Sequence, residues 1–99
     1  MKVKILQIKS LQDTTYLFMG YDFALRTGFT LDDYEEVWEG SIQKETGEST
    51  NHFLESVFTI FNIDRPYDFK GHSLSVSDLI RLEDGSTYYV DSIGFKRVA

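Results

Sequence analysis

The chain of 99 residues contains no cysteine, a single proline and two histidines. Without cysteine it has neither disulfides nor thiolate zinc ligands, and we expect a reducing compartment rather than secretion. No apolar run approaches the roughly 18 residues that a membrane-spanning helix needs. The first ten residues, MKVKILQIKS, interleave lysines with apolar residues and lack the apolar core of a signal peptide. These absences predict a cytoplasmic protein that does not enter a membrane.

Motifs for bound nucleotides and metals are also missing. The seven glycines form neither Gly-x-x-x-x-Gly-Lys nor Gly-x-Gly-x-x-Gly, so no nucleotide site is predicted. The two histidines do not have the His-x-x-x-His spacing of a zinc site, although His72, Asp78 and Asp91 are residue types that can ligate a metal. We therefore expect no cofactor and no metal.

What the chain does contain is material for one core. Hydrophobic residues make up 41% and aromatic residues 15% of the sequence. A chain of this length buries roughly 60 to 70% of its unfolded surface, which suffices for a single domain over residues 1–99.

Apolar periodicity predicts two strands and two helices before residue 67. Residues 3–8 carry apolar side chains on both faces, which indicates an interior strand, and residues 34–42 predict a second strand. Residues 21–27 predict a short helix with Phe23, Ala24 and Leu25 toward the core, ending at Gly28. A second helix is predicted from Asn51 as N-cap, with one apolar face, ending before residue 62.

The last third of the chain predicts a β-hairpin over residues 79–82 and 87–93. Asp84 and Gly85 are a strong two-residue turn signal. That turn places Asp78 directly opposite Asp91, where two carboxylates repel unless the strands diverge or His72, Lys70 or a backbone donor intervenes. The fold class predicted is α+β, with a small antiparallel sheet or partial barrel, a C-terminal hairpin and two helices packed against the sheet.

The net charge of −6 is concentrated in the middle of the chain. Between residues 32 and 55, eight acidic residues face only Lys44, and such a surface repels DNA and RNA. The simplest interpretation is a solvated face, and the alternative is a surface that imitates a phosphate backbone and binds a basic partner, with Tyr34 and Trp38 as aromatic anchors. The partner-binding candidates are Asp32, Asp33, Tyr34, Glu35, Glu36, Trp38, Glu39, Glu45 and Glu48.

The C-terminal third of the chain suggests two further kinds of site. His72 with Ser73, Ser75 or Ser77 and the carboxylates suggests serine hydrolysis, but no Gly-x-Ser-x-Gly elbow is present, and serines before a strand usually satisfy turn donors. We predict no catalytic residues and a structural role for His72. Aromatic and basic residues of the last hairpin offer an RNA-binding platform as a weaker alternative, namely Tyr88, Tyr89, Phe95, Lys96 and Arg97.

Residues 61–78, FNIDRPYDFKGHSLSVSD, and residues 88–95, YYVDSIGF, resemble the YodL-like domain, a small domain of Gram-positive bacteria, their phages and conjugative elements. Residues 18–21 and 34–40 extend the resemblance. The family-motif residues, for which a structural role is expected, are Gly71, His72, Ser73, Ser75, Ser77, Asp78, Tyr89, Asp91 and Gly94.

The resemblance implies a mobile-element setting, often beside antirestriction functions, and no general enzymatic activity follows from it. Joined to the acidic surface, it favours a non-enzymatic inhibitor of a host defence complex that is itself basic. A CRISPR effector of the Cas9 type is the first candidate target, since its nucleic-acid channel is basic, and a restriction system is the next. The alternatives are a host-protein interaction module without nucleic-acid mimicry and a small RNA-binding barrel.

Overall fold

Five antiparallel strands form one open sheet in the computed structural model, which describes residues 1–99, with the strand order β2-β1-β3-β4-β5. The sheet has free edges at β2 and β5, so the antiparallel-sheet alternative is confirmed and the partial barrel is not formed. The strands are β1 (Lys2–Ile8), β2 (Tyr34–Ser41), β3 (Leu79–Leu82), β4 (Thr87–Val90) and β5 (Phe95–Arg97). The helices are α1 (Tyr21–Thr27), a 3-10 turn (Leu31–Asp33) and α2 (Thr50–Ile63).

Each face of the sheet carries its own apolar cluster, and β1 contributes to both. Val3 and Ile5 point toward α2, whereas Leu6 and Ile8 point to the opposite face with α1. Because β1 pairs with both β2 and β3, its prediction as an interior strand is confirmed. The cluster on the α2 face includes Phe53, Leu54, Val57 and Phe61 of the helix, as the apolar period predicts, and the cluster on the α1 face includes Tyr16, Ala24, Tyr34 and Tyr89.

The two helices correct three predictions: the burial of Leu25, the N-cap of α2 and the end of α2. Gly28 ends α1 with φ +100°, as expected, but Leu25 is exposed rather than packed on the core. The N-cap of α2 is Ser49, not Asn51, since the Ser49 side chain accepts a hydrogen bond from the backbone N–H of His52. The helix continues to Ile63, because proline restrains only the residue before it and Pro66 lies farther along the chain.

The hairpin between β3 and β4 is one residue out of the predicted register. Its loop has three residues rather than two, and Gly85 takes the left-handed conformation with φ +90°. Leu79 therefore lies opposite Tyr89, and the Asp78 carbonyl accepts the backbone N–H of Val90 rather than facing Asp91. A one-residue slip turns every side chain to the other face, so the predicted repulsion between the two carboxylates does not arise.

β4 also ends earlier than predicted, at Val90. The backbone N–H of Asp91 donates to the carbonyl of Gly94, which has φ +74°, and this turn leads into β5. The predicted strand to residue 93 is therefore shorter, and the turn after it leads to a fifth strand that was not predicted. Neither helix has the length and apolar character needed to cross a bilayer.

Candidate functional site

The acidic residues of β2 lie on an edge strand, but they are not unopposed. Glu35, Glu36 and Glu39 are all exposed. Lys4 of the neighbouring strand extends its Nζ to 3.5 Å from a carboxylate oxygen of both Glu36 and Glu39. Because β1 pairs with β2, a base far away in sequence partly neutralises the acidic surface, and the local sequence count did not include it.

Two other predicted partner-binding acids are engaged inside the domain. Asp33 accepts a hydrogen bond from the Tyr16 hydroxyl at 2.6 Å, and burial together with this bond raises the pKa of Tyr16 to about 12. The side chain of Glu48 is 6% exposed, accepts the backbone N–H of Glu45 and contacts His52. The pKa of Glu48 is lowered, and the hydrogen bond from the Glu45 N–H is the main cause. Asp32 and Glu45 are exposed and add surface charge beside the β2 acids.

Tyr34 and Trp38 are core residues, which corrects their prediction as exposed anchors. Both are less than 10% exposed. The Tyr34 hydroxyl donates to the carbonyl of Ser77 at 2.6 Å, and the Trp38 Nε1 donates to Asp68 Oδ1 at 2.8 Å. Each large ring thus fills an apolar cluster and places its polar atom on the segment that precedes β3.

That segment, residues 64–77, crosses from α2 to β3 without regular structure, and we call it the strap. Besides the bonds from Tyr34 and Trp38, it is held by Asn62, whose Nδ2 donates to the Leu74 carbonyl at 3.0 Å. The Phe69 ring lies edge-on to the Phe61 ring of α2, with centroids 4.9 Å apart. The strap is therefore packed on the α2 face of the sheet.

A buried polar cluster joins the strap to β1. The Gln7 Nε2 donates to Asp78 Oδ2 at 3.0 Å and to the His72 carbonyl at 2.9 Å. Asp78 is fully buried, and its Oδ2 also accepts the backbone N–H of Ser75 at 2.8 Å. Its other oxygen, Oδ1, faces His72 Nε2 at 3.9 Å, and neither of these buried atoms has a hydrogen-bond partner.

Burial dominates the electrostatics of this cluster. It raises the pKa of Asp78 to about 7, because a carboxylate loses its hydration there, while the Ser75 N–H, His72 and Gln7 act in the opposite direction. The His72 Nδ1 lies 2.8 Å from the Ser73 carbonyl, to which it donates when protonated. Gln7 Nε2 lies 3.3 Å from the same Nδ1, but its two N–H groups are used by the His72 carbonyl and Asp78. Nδ1 therefore carries the proton of the neutral imidazole, and Nε2 is the acceptor that faces Asp78.

The arrangement does not assemble the hydrolase constellation weighed from the sequence. No serine hydroxyl bonds to His72, since the Ser75 Oγ donates to the Ser73 carbonyl and the Ser77 Oγ accepts the backbone N–H of Phe18. No group of three or more His, Asp and Glu side chains is placed to hold a metal ion.

Comparison with known families gives one result. The family model of the YodL-like domain matches residues 2–99. The chain belongs to the YodL-like domain family. No curated protein and no solved structure matches it.

In this YodL-like domain the family-motif residues make internal contacts around the strap and the C-terminal end of β4. The Asp91 Oδ1 accepts the backbone N–H of Tyr21 at the start of α1, and the Tyr89 hydroxyl donates to the Met19 carbonyl at 2.7 Å. Gly71 leaves room for the Gln7 side chain, whose Oε1 would lie 2.2 Å from an added β-carbon. The motif therefore coincides with the contacts that fix the strap and the loop before α1.

Two residues of the YodL-like domain were missed from the sequence. Gln7 is buried on the same face of β1 as Val3 and Ile5, and a polar residue at that position of the apolar period was a usable signal. Phe18 adopts φ +65° with its side chain 54% exposed, and no local pattern indicates this. A groove of about 370 Å³ between α2 and the β4–β5 turn, with Phe58, Val90 and Phe95 on its apolar side, was also unforeseen.

Proposed function

We propose that this YodL-like domain is a non-enzymatic inhibitor, encoded by a mobile element, that binds a basic host defence complex in the cytoplasm through its acidic β2 edge. The supporting observation is the row of exposed carboxylates on β2, Glu35, Glu36 and Glu39, on the free edge of the sheet. Carboxylates on a rigid strand are preorganised, so a basic channel binds them without ordering a flexible segment.

The first candidate target is a nuclease of the Cas9 type, because its channel is built to hold nucleic-acid backbones by positive charge. Charge complementarity of this kind raises the association rate and falls steeply with ionic strength. Asp32 and Glu45 extend the field beyond the strand, while Lys4 fixes the carboxylates of Glu36 and Glu39 in position at the cost of part of the charge. A restriction enzyme complex is the second target of the same chemistry.

The experiment measures binding to a guide-loaded Cas9-type nuclease, and inhibition of its DNA cleavage, at low and at physiological salt. A triple variant, Glu35→Gln, Glu36→Gln and Glu39→Gln, is compared with the wild-type domain. The matched control replaces three exposed acids elsewhere, Asp13, Asp22 and Asp64, by asparagine, so that the net charge changes equally.

We expect the β2 variant to lose at least about tenfold in affinity at low salt and to show a shallower salt dependence, whereas the control variant stays close to wild type. Parallel assays with a restriction enzyme complex test the second target. Equal binding by the β2 variant and the wild type would exclude phosphate mimicry, and no binding to either complex by the wild type would reject the inhibitor function.

A second candidate is a host-protein interaction module that does not imitate nucleic acid. Five of the eight large apolar side chains that the domain exposes come from the segment between β1 and β2. Contacts through such residues are governed by apolar burial and depend little on salt. Binding that survives the triple β2 variant but is lost in Phe18→Ser would favour this candidate. The five residues are Leu11, Phe18, Met19, Leu25 and Leu31.

A further inference from the structure

Four residues close a ring of contacts at one end of the strap. Asp78 follows Ser77 in the chain, and the Ser77 Oγ accepts the backbone N–H of Phe18 at 2.9 Å. The Phe18 ring lies edge-on to the His72 ring, with centroids 5.8 Å apart. His72 Nε2 faces Asp78 Oδ1 at 3.9 Å and completes the ring. A change in the gap between His72 and Asp78 therefore reaches Phe18 from two sides.

The backbone of this ring is strained at two points. Phe18 at φ +65° and Ser77 at φ +86° are the only residues other than glycine with positive φ. Such conformations cost on the order of 1–3 kcal/mol each and persist only where surrounding contacts impose them. Here those contacts are the hydrogen bond between the two residues and the bond from the Tyr89 hydroxyl to the Met19 carbonyl. The position of the exposed Phe18 side chain thus depends on the contacts among Ser77, His72 and Asp78 beneath it.

Whether His72 Nε2 and Asp78 Oδ1 attract or repel each other depends on one proton. Both facing atoms are buried and lack partners. An ionised Asp78 and a neutral His72 place two acceptors opposite each other, which is unfavourable away from water. A single proton on either atom converts the pair into a donor and an acceptor, or into an ion pair.

The other groups around Asp78 do not supply that proton. Gln7 from β1 and the Ser75 N–H from the strap donate only to Oδ2, and Asn62 from α2 is neutral and bonds the strap backbone. Tyr34 from β2 and Tyr89 from β4 stay neutral, because burial raises the pKa of each phenol well above its ordinary value. His72 is the titratable side chain that faces Asp78 Oδ1.

We propose that Asp78 Oδ1 and His72 Nε2 hold one proton between them, and that its loss separates His72 from Asp78 and releases Phe18 from its strained position. The surface that Phe18 presents is then pH-dependent. This device is separate from the acidic β2 edge and does not require the proposed inhibitor function.

The test follows the domain by NMR from about pH 5 to about pH 9, in the wild type, in Asp78→Asn and in His72→Gln. Asparagine keeps the shape of a protonated aspartate and can donate to His72 Nε2. The readouts are the carboxyl carbon signal of Asp78, the ring nitrogen signals of His72, and hydrogen exchange of the amides of Phe18 and Ser75. The amide of Phe53, which donates to the carbonyl of the N-cap Ser49, reports opening of α2 away from the His72–Asp78 pair.

In the wild type we expect the Asp78 and His72 signals to change in one common pH interval. Over that interval, exchange of the Phe18 and Ser75 amides, corrected for the intrinsic pH dependence, rises by about tenfold or more, while the Phe53 amide does not follow. The rise is absent in Asp78→Asn and reduced in His72→Gln. Separate titration of the two side chains, or the same rise in Asp78→Asn, would overturn the shared proton.

Discussion

Gly71 and Gln7 occupy each other's space: a β-carbon on Gly71 would lie 2.2 Å from Gln7 Oε1 and 3.1 Å from the Phe69 ring. The φ of Gly71 is not in the left-handed region, so glycine is required here for room rather than for conformation. The buried amide of Gln7 in turn fixes the strap through the His72 carbonyl and Asp78. The strap can therefore cross β1 only where the chain has no side chain.

Gly71→Ala is expected to destabilise the domain by about 1–3 kcal/mol, because the Gln7 side chain is buried and held by its hydrogen bonds. Denaturant unfolding monitored by circular dichroism measures the change. In a Gln7→Ala background the obstacle is gone, so the same substitution should cost clearly less, and the double-mutant cycle isolates the contact. Equal costs in both backgrounds would contradict the steric explanation.

Tyr34→Phe is expected to cost about 1–2 kcal/mol of stability, because it removes the donor to the carbonyl of Ser77, a fully buried residue, and leaves that oxygen without this partner. The ring itself stays packed among the residues of the α1 face. Tyr67→Phe is the matched control, since the Tyr67 side chain is fully exposed, and it should leave the unfolding free energy unchanged. Similar behaviour of the two variants would mean that the buried bond contributes nothing.

The two candidate N-caps of α2 are separated by a pair of single substitutions. Ser49→Ala removes the acceptor of the His52 N–H and should cost about 1 kcal/mol. Asn51→Ala places a better helix former inside the first turn and should be neutral or slightly stabilising. Thermal and denaturant unfolding give both values, and the opposite order would restore Asn51 as the cap.

Stability should fall as the pH rises from about 4 through about 7, because of Asp78. Its pKa is raised by burial to about 7, so the folded state binds more protons than the unfolded chain in that interval. The stabilising contribution is complete below the unfolded carboxyl pKa and is lost as the pH passes the folded value. Asp84, whose pKa is lowered by bonds from Ser86, acts in the opposite direction and stabilises above the unfolded pKa.

The measurement compares the pH dependence of the unfolding free energy in the wild type and in Asp78→Asn. The difference between the two curves removes the contributions of Asp84 and Glu48, and it should decline from acidic to neutral pH by on the order of a few kcal/mol. A flat difference curve would show that Asp78 titrates alike in the folded and unfolded chains.

Local periodicity was sufficient for the elements but not for their exact pairing. The apolar spacing of α2 and the two apolar faces of β1 are properties of the sequence itself, and both predictions were confirmed. The register between β3 and β4 depended on whether the Asp84-Gly85 loop has two or three residues. Both loops satisfy the same dipeptide signal, so the choice depends on which face of the sheet Tyr89 joins, and Tyr89 packs with Leu79 on the α1 face.

The candidate site was harder to predict because its contacts join residues distant in sequence. Lys4 reaches Glu36 and Glu39 only because β1 and β2 pair, and the window that defined the acidic stretch could not include it. An aromatic between acids looks like an exposed anchor, yet Trp38 is buried in the cluster on the α2 face. Strict alternation would place Trp38 on the same face as Tyr34, but the pairing of β1 and β2 shifts register between them, and Tyr34 packs on the α1 face. A tryptophan can be buried when its indole N–H has a hydrogen-bond acceptor, and for Trp38 that acceptor is Asp68.

The free edge of β2 leads to a last prediction, on self-association. An exposed edge strand invites pairing with a second chain, and proteins block it with charges and bulges. β2 carries Glu35 and Glu39, and its pairing with β1 shifts register at Val37. We expect a Glu35→Val, Glu39→Val variant to form dimers or larger species at micromolar concentration, measured by sedimentation velocity.

A control with Glu45→Val and Glu55→Val, which places the same apolar residues outside the strand, should stay monomeric under the conditions in which the wild type does. Equal association of the two variants would assign the effect to surface hydrophobicity, and a monomeric β2 variant would show that the strand needs no carboxylates to keep its edge free.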